Sequence, residues 1–471
     1  MNLIWYFLLA AAGFTVFCFI VAGFGRFPQF ALVVAGLPVL TLAEFQNSFN
    51  IATIAGVNVA FIDVFSAALF AVFLRKISNV NRMLAAKVFL AFVALVGISL
   101  VAGAARFGPN LSANEARQFL WTISCLLWST TLDWRSVDFQ RRIMHLLVVF
   151  GWMLVAAAAV HVYLRGFATY GDDFVESSGD IRDSRILVSG QALILVFSLL
   201  AAIALARQPR TSRWWAVSAV VFFLVVLLSQ QRTVWVVAFI VLGAGIILDR
   251  RRRASDVLWA LGIVWGLSAL FVSGLVDGVM DQLVQASQNT RTYDGRSQGW
   301  TALVAQASDR GAFTVMFGEP FGAGYARVEL GRLVGWNPHN WYLNIFLRVG
   351  VIGLLLYCSA MVIALFGLLW RRQSLFLILV ALGTGVYSWT YNSPWYAALI
   401  LGGAFALSSA PRPSRYTVSA VQEPAVAEGV PPNRLPCHEG VAIAGAECSC
   451  VPNRVGFHGG ARAQPEVEEF I

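Results

Sequence analysis

Apolar stretches long enough to cross a hydrocarbon layer recur along most of this chain, near 3–24, 28–43, 57–74, 84–102, 116–132, 143–164, 186–206, 214–229, 233–249, 257–273, 350–370, 374–391 and 395–409. A membrane-spanning helix needs about 17–25 predominantly apolar residues, because each adds about 1.5 Å of rise across a core of about 30 Å. Within that core the backbone must satisfy its own hydrogen bonds, and continuous rather than alternating apolar runs do so as helices. The pattern therefore predicts an all-α, polytopic membrane protein with about 12–13 transmembrane helices. Composition agrees: 58% of residues are hydrophobic and 13% charged, against about 45–50% and 25% in soluble domains.

The basic connections at 75–82, 135–142, 207–213, 250–253 and 371–372 fall on one side if the spans alternate. By the positive-inside rule that side is cytoplasmic. Connections 44–56, 103–115, 165–185, 229–232 and 273–340 then lie on the opposite side. The net charge of +9 is explained by these short loops, so no nucleic-acid partner is expected. The first apolar run lacks a basic leader and a clear small-residue cleavage site, and reads as a retained helix. Four regions follow: an N-terminal transmembrane bundle (1–273), a large external loop (274–340), C-terminal transmembrane helices (341–410) and a disordered cytoplasmic tail (411–471). The tail holds Cys437, His438, Cys448, Cys450 and His458. Their spacing fits no standard zinc ligand set, and no metal is expected.

The external loop concentrates chemistry. It carries Arg291, Arg296, Arg310, Arg327 and Arg332 with a single histidine, His339, and a loop this long between spans is more often functional than connective. Arg291 and Arg296 flank Tyr293-Asp294-Gly295, and two guanidinium forks can grip a diphosphate. A solvated loop in which Arg296 pairs with Asp294 remains the alternative. Arg232 lies in SQQRTVW, a four-residue polar break between apolar runs that leaves its guanidinium at the membrane face. It is either a partnered charge with a task or an interfacial arginine reaching to headgroups. Gly318, Gly322 and Gly324 shape the loop. In WNPHNWYLN, Asn337 as N-cap and Pro338 at the first helical position predict that His339 sits in the first turn of a helix. There the helix N-terminus lowers its pKa and keeps the imidazole neutral, suited to accepting a proton from a sugar hydroxyl. A structural histidine is the other reading.

The order Ser-Gln-Gln-Arg232, Gly295-Arg296…Trp300, Gly322-Ala-Gly324, His339-Asn340-x-Tyr342-Leu343 and Gly350-Val-Ile-Gly353 resembles the O-antigen ligase and polymerase superfamily. The resemblance covers about 225–370. It implies a GT-C-like fold with a long periplasmic loop in the bacterial inner membrane. It also implies an inverting, metal-independent glycosyltransferase without cofactor, which moves a glycan from an undecaprenyl diphosphate carrier to an acceptor hydroxyl. By position, Arg232 and Arg296 correspond to the arginines that engage the diphosphate and His339 to the base. Arg291 and Asn340 are further candidates for substrate binding. The acceptor is a glycan, a lipid A–core or a protein, polysaccharide assembly proteins are candidate partners, and polymerase is preferred over ligase. Arg348 departs from the pattern, since many relatives have an acid before Gly-x-x-Gly.

A carrier-lipid glycan transporter is the alternative. Transporters place ionisable groups inside spans, whereas here the clear intramembrane acid is Asp63 and the charges crowd into the external loop.

Overall fold

The computed structural model describes residues 3–45, 50–54, 57–165, 186–208, 213–249, 291–329 and 332–409. The chain divides into two units at Pro413/Ser414, and the second lies outside the described residues, as do the apolar run at 257–273 and the cysteines and histidines of the tail. The described helices are α1 (Leu3–Arg26), α2 (Pro28–Phe45), α3 (Phe61–Arg75), α4 (Leu84–Phe107), α5 (Pro109–Thr130), α6 (Val137–Arg165), α7 (Ser189–Ala206), α8 (Trp214–Leu228) and α9 (Arg232–Leu248). They continue as α10 (Arg291–Asp309), α11 (Ala312–Phe317), α12 (Trp341–Arg371), α13 (Leu375–Tyr387) and α14 (Trp395–Ser408). Two short antiparallel hairpins accompany them, β1–β2 (Asn50–Ile54, Val57–Ala60) and β3–β4 (Arg327–Glu329, Arg332–Val334).

The centre is built on helices that are apolar all round, the pattern of buried helices. Every residue of α14 is buried, and most of α7. α14 can approach α5 closely because Gly402 faces Ser129, whose hydroxyl donates to the Leu399 carbonyl at 2.5 Å.

By length and apolarity, α4, α6, α7 and α12 qualify as spans, and α1 and α2, bent by 111° at Phe27, form a fifth if counted together. These are the spans among the described residues, in keeping with an all-α polytopic membrane protein, and other expected runs there fall short of the length for local reasons. α8, α9, α13 and α14 have 13–17 residues each, about 20–26 Å of rise. Their apolar runs end early in polar turns at 229–231 and 388–394. The run at 57–74 opens as a strand and becomes helical only at Phe61. The segment 274–340 also differs from a plain loop: α10, α11 and β3–β4 are formed inside it.

Contacts sort the turns into two ends. Ser112 reaches the Phe321 carbonyl, Gln231 the Leu187 carbonyl, Thr390 the Thr233 hydroxyl and Gln118 the Ser393 carbonyl. Connections 103–115 and 273–340, assigned by alternation to one face, thus touch, and the 388–394 turn joins the neighbours of 103–115 and 229–232. At the other end Arg207 pairs with Asp249 at 2.6 Å. Phosphatase fusions after Gly179 and Arg310 are expected to be active, and fusions after Arg210, Arg252 and Arg372 inactive. Activity at Arg252 with silence at Arg310 would reverse the orientation.

Candidate functional site

α10 is polar along its length except for one stripe. Gly295, Gly299, Leu303 and Ala307, spaced by four, are the buried ones among its described residues, and this i, i+4 row lies on one helix face. Leu303 and Ala307 pack with Tyr325, Leu343 and Leu347, flanked by Trp300 and Phe346. The Trp300 indole donates to the Pro338 carbonyl at 2.7 Å, fixing α10 against the turn that carries His339.

Arg296 follows the first buried glycine and leaves the helix sideways. Its Nη1 donates to the Thr390 carbonyl at 3.2 Å, and its guanidinium carbon lies 5.0 Å from the centre of the Tyr391 ring. Among the described residues no carboxylate forms an ion pair with it. The expected alternative, a pair with Asp294, is not formed, and Asp294 is exposed.

The 388–394 turn is what sequence reasoning missed. Besides holding Arg296, Thr390 donates its hydroxyl to Thr233 at 2.9 Å, and the Tyr391 hydroxyl is 3.4 Å from the Gln231 side-chain oxygen. Those two residues flank Arg232, the first residue of α9. Gln230 holds φ 54°, a left-handed conformation that turns the chain sharply into α9. The same turn grips the histidine segment: the Ser388 carbonyl accepts from the Trp341 amide at 3.0 Å, and Asn392 accepts from the buried Asn344, which also donates to Asn337. Elements separated by more than 150 residues thus meet on one short polar turn. Its signal in the sequence was the run Thr390-Tyr391-Asn392-Ser393 between two apolar runs.

The histidine is not in a helix. α12 starts at Trp341 with Asn340 as its N-cap, the Asn340 side-chain oxygen accepting from the Leu343 amide at 3.0 Å. This corrects the expected cap at Asn337, and it commits the carbonyl of Asn340, a candidate for substrate binding, to capping. His339 precedes the cap with φ 51°, packed by its neighbours but with part of its surface open to solvent. Its pKa is lowered to about 4, chiefly by loss of hydration and then by the Arg296 and Arg327 cations. The imidazole is therefore neutral at physiological pH, as expected, but the cause differs from the helix terminus foreseen.

Gly318, Gly322 and Gly324 have φ of 79°, 97° and 74°. The Gly322 amide donates to Glu115 at 2.5 Å, and Glu115 is ion-paired with Arg348. Arg348 is 1% exposed, donates to the Gly324 carbonyl and lies 4.3 Å from the Tyr325 ring centre. The departure at Arg348 is thereby explained, for its acid partner comes from α5. α12 itself is broken at Gly350 (φ 66°, ψ −170°), where the end of α11 is pressed against it.

The remaining loop arginines divide. Arg310 pairs with Glu319, and buried Arg327 donates to the Tyr325 and Trp336 carbonyls, closing the base of β3–β4. Arg291 opens α10, but its side chain and that of Arg332 lie outside the described residues. Asp63 is fully engaged, accepting from the Ala60 amide and the Trp121 indole at 2.8 Å each and pairing with Arg117 at 3.1 Å. A carboxylate so occupied suits a structural joint better than an ion pathway. No cluster of metal-ligating side chains occurs among the described residues.

Arg232, Arg296 and His339 all fall within residues 217–358, which match the family model described as O-Antigen ligase. No curated protein matches the chain. The match implies a glycosyltransferase-like enzyme of the membrane, acting on a glycan or lipid-linked substrate. Residues 217–358 are thus similar to the O-antigen ligase and polymerase superfamily.

Proposed function

We propose that this protein transfers a glycan from undecaprenyl diphosphate to an acceptor hydroxyl on the periplasmic face of the bacterial inner membrane. The observation that carries the reading is Arg296: a cation without a carboxylate partner among the described residues, held by a carbonyl and an aromatic face beside a neutral histidine. Arg232 supports it. A cation at the first position of α9 opposes the helix dipole, so its placement favours an anionic ligand over helix stability.

In this mechanism the diphosphate lies between Arg232 and Arg296, and Arg291 is a further contact. His339 removes the proton of the acceptor hydroxyl, whose oxygen attacks the anomeric carbon. The bond to the diphosphate oxygen breaks as the new glycosidic bond forms, and the arginines take up the charge on the leaving group. Attack opposite that group inverts the anomeric configuration. The donor is already activated, so the reaction requires neither nucleotide nor metal. Asn340 acts by capping α12 and fixing the histidine turn.

The acceptor reading is polymerase, the carrier-linked repeat being extended during exopolysaccharide or O-antigen assembly. A deletion strain is expected to lose polymer and retain surface glycan of a single repeat. Intact polymer stranded on its carrier would make the protein a ligase to lipid A–core or protein. Unchanged polysaccharide would refute both.

A further inference from the structure

The contacts made by the 388–394 turn extend the site beyond the arginines and the histidine. Arg296 has three rotatable carbons between α10 and its charge, and a guanidinium without an acid partner is free to swing unless something else orients it. Two groups do so here, the Thr390 carbonyl from one edge and the Tyr391 ring. The ring is placed in turn, since Tyr391 stacks on Tyr387 at 5.0 Å and its hydroxyl reaches Gln231. An aromatic face attracts a cation without neutralising it, so the full charge remains for an anion. A carboxylate in the same position would compete with that anion.

Resting on the diphosphate reading above, we infer that Tyr391 is a positioning residue of the clamp, holding the Arg296 guanidinium towards the α9 terminus that carries Arg232. The ring supplies the effect and the hydroxyl only trims its orientation. Tyr391 itself does not contact the diphosphate.

The test measures binding of undecaprenyl diphosphate, and transfer kinetics, for purified full-length variants in lipid nanodiscs. Tyr391→Leu is expected to weaken binding about three- to tenfold and to raise KM more than it lowers kcat. Tyr391→Phe retains the ring and should bind as the wild type does. In the Arg296→Ala background, Tyr391→Leu should add nothing, because the group it orients is gone. Should Tyr391→Leu not fold, Tyr391→Met takes its place. Wild-type binding by the Leu or Met variant, equal losses in the Phe and Leu variants, or additive losses in the double variant would each overturn the inference and leave the clamp standing. Unchanged binding by Arg296→Ala would instead remove the clamp, and the inference with it.

Discussion

His339→Ala is expected to lower transfer by about 10²- to 10⁴-fold, the usual contribution of a general base, while leaving undecaprenyl diphosphate binding unchanged. The imidazole is assigned to the acceptor proton, so its loss should not reach the donor. The pH dependence adds a second signature. With a pKa lowered to about 4, free His339 is neutral through the physiological range, so kcat/KM should hold as pH falls from 7 to 5 and drop only near 4. Part of that lowering comes from Arg296. Diphosphate bound to Arg296 offsets this charge and favours the imidazolium. The inflection in kcat, which reports the complex, should therefore lie at higher pH than that in kcat/KM. Transfer assays across pH, run with a metal chelator, check both points. Near-normal turnover by the alanine variant would remove His339 as base, and chelator-sensitive transfer would point to a metal-assisted reaction.

Gly350→Ala should be the most damaging single methyl in the site. The backbone there has φ 66° and ψ −170°, a region essentially reserved for glycine that costs other residues about 1–3 kcal/mol. A Cβ would also come within 2.2 Å of the Met316 carbonyl. Backbone cannot rotate aside as a side chain can, so α11 must leave its seat. The bond from the Glu319 amide to the Leu347 carbonyl (2.7 Å) goes with it, loosening the glycine loop held by Glu115. We expect a loss above about 4 kcal/mol, in the range of severe core lesions, read as a large fall in the thermal midpoint in detergent or as failure to accumulate. Gly97→Ala is the control: nothing lies within 4 Å of its Cβ, and alanine is the better helix former. Equal midpoints for the two variants would contradict the interlock.

The sequence disclosed the elements whose signals are local. Apolar runs located α4, α6, α7 and α12, and the polar break at 229–232 located the turn into α9. α10 was hidden because, among its described side chains, only Gly295, Gly299, Leu303 and Ala307 are buried, and two of these four have poor helix propensity. Such a helix exists through tertiary packing of its stripe. The N-cap was ambiguous for a different reason, since Asn337 and Asn340 both suit the role. The choice is settled by the bonds that engage Asn337 with Asn344 and Trp341 with Ser388. The ion pair of Glu115 with Arg348, and the meeting of Arg296 with Thr390, join distant segments, and no local pattern announces such pairs. Arg232, Arg296 and His339 were legible as individuals. The turn that ties their segments together was not.

The central claim is that a lipid diphosphate sits between the arginines beside His339, and a cryo-electron microscopy structure of the protein with undecaprenyl diphosphate in nanodiscs tests it most directly. The account predicts diphosphate oxygens about 2.7–2.9 Å from the guanidinium nitrogens of Arg232 and Arg296, with the His339 imidazole on the side open to the acceptor. A diphosphate bound elsewhere, with Arg296 still resting on Thr390 and Tyr391 alone, would contradict it.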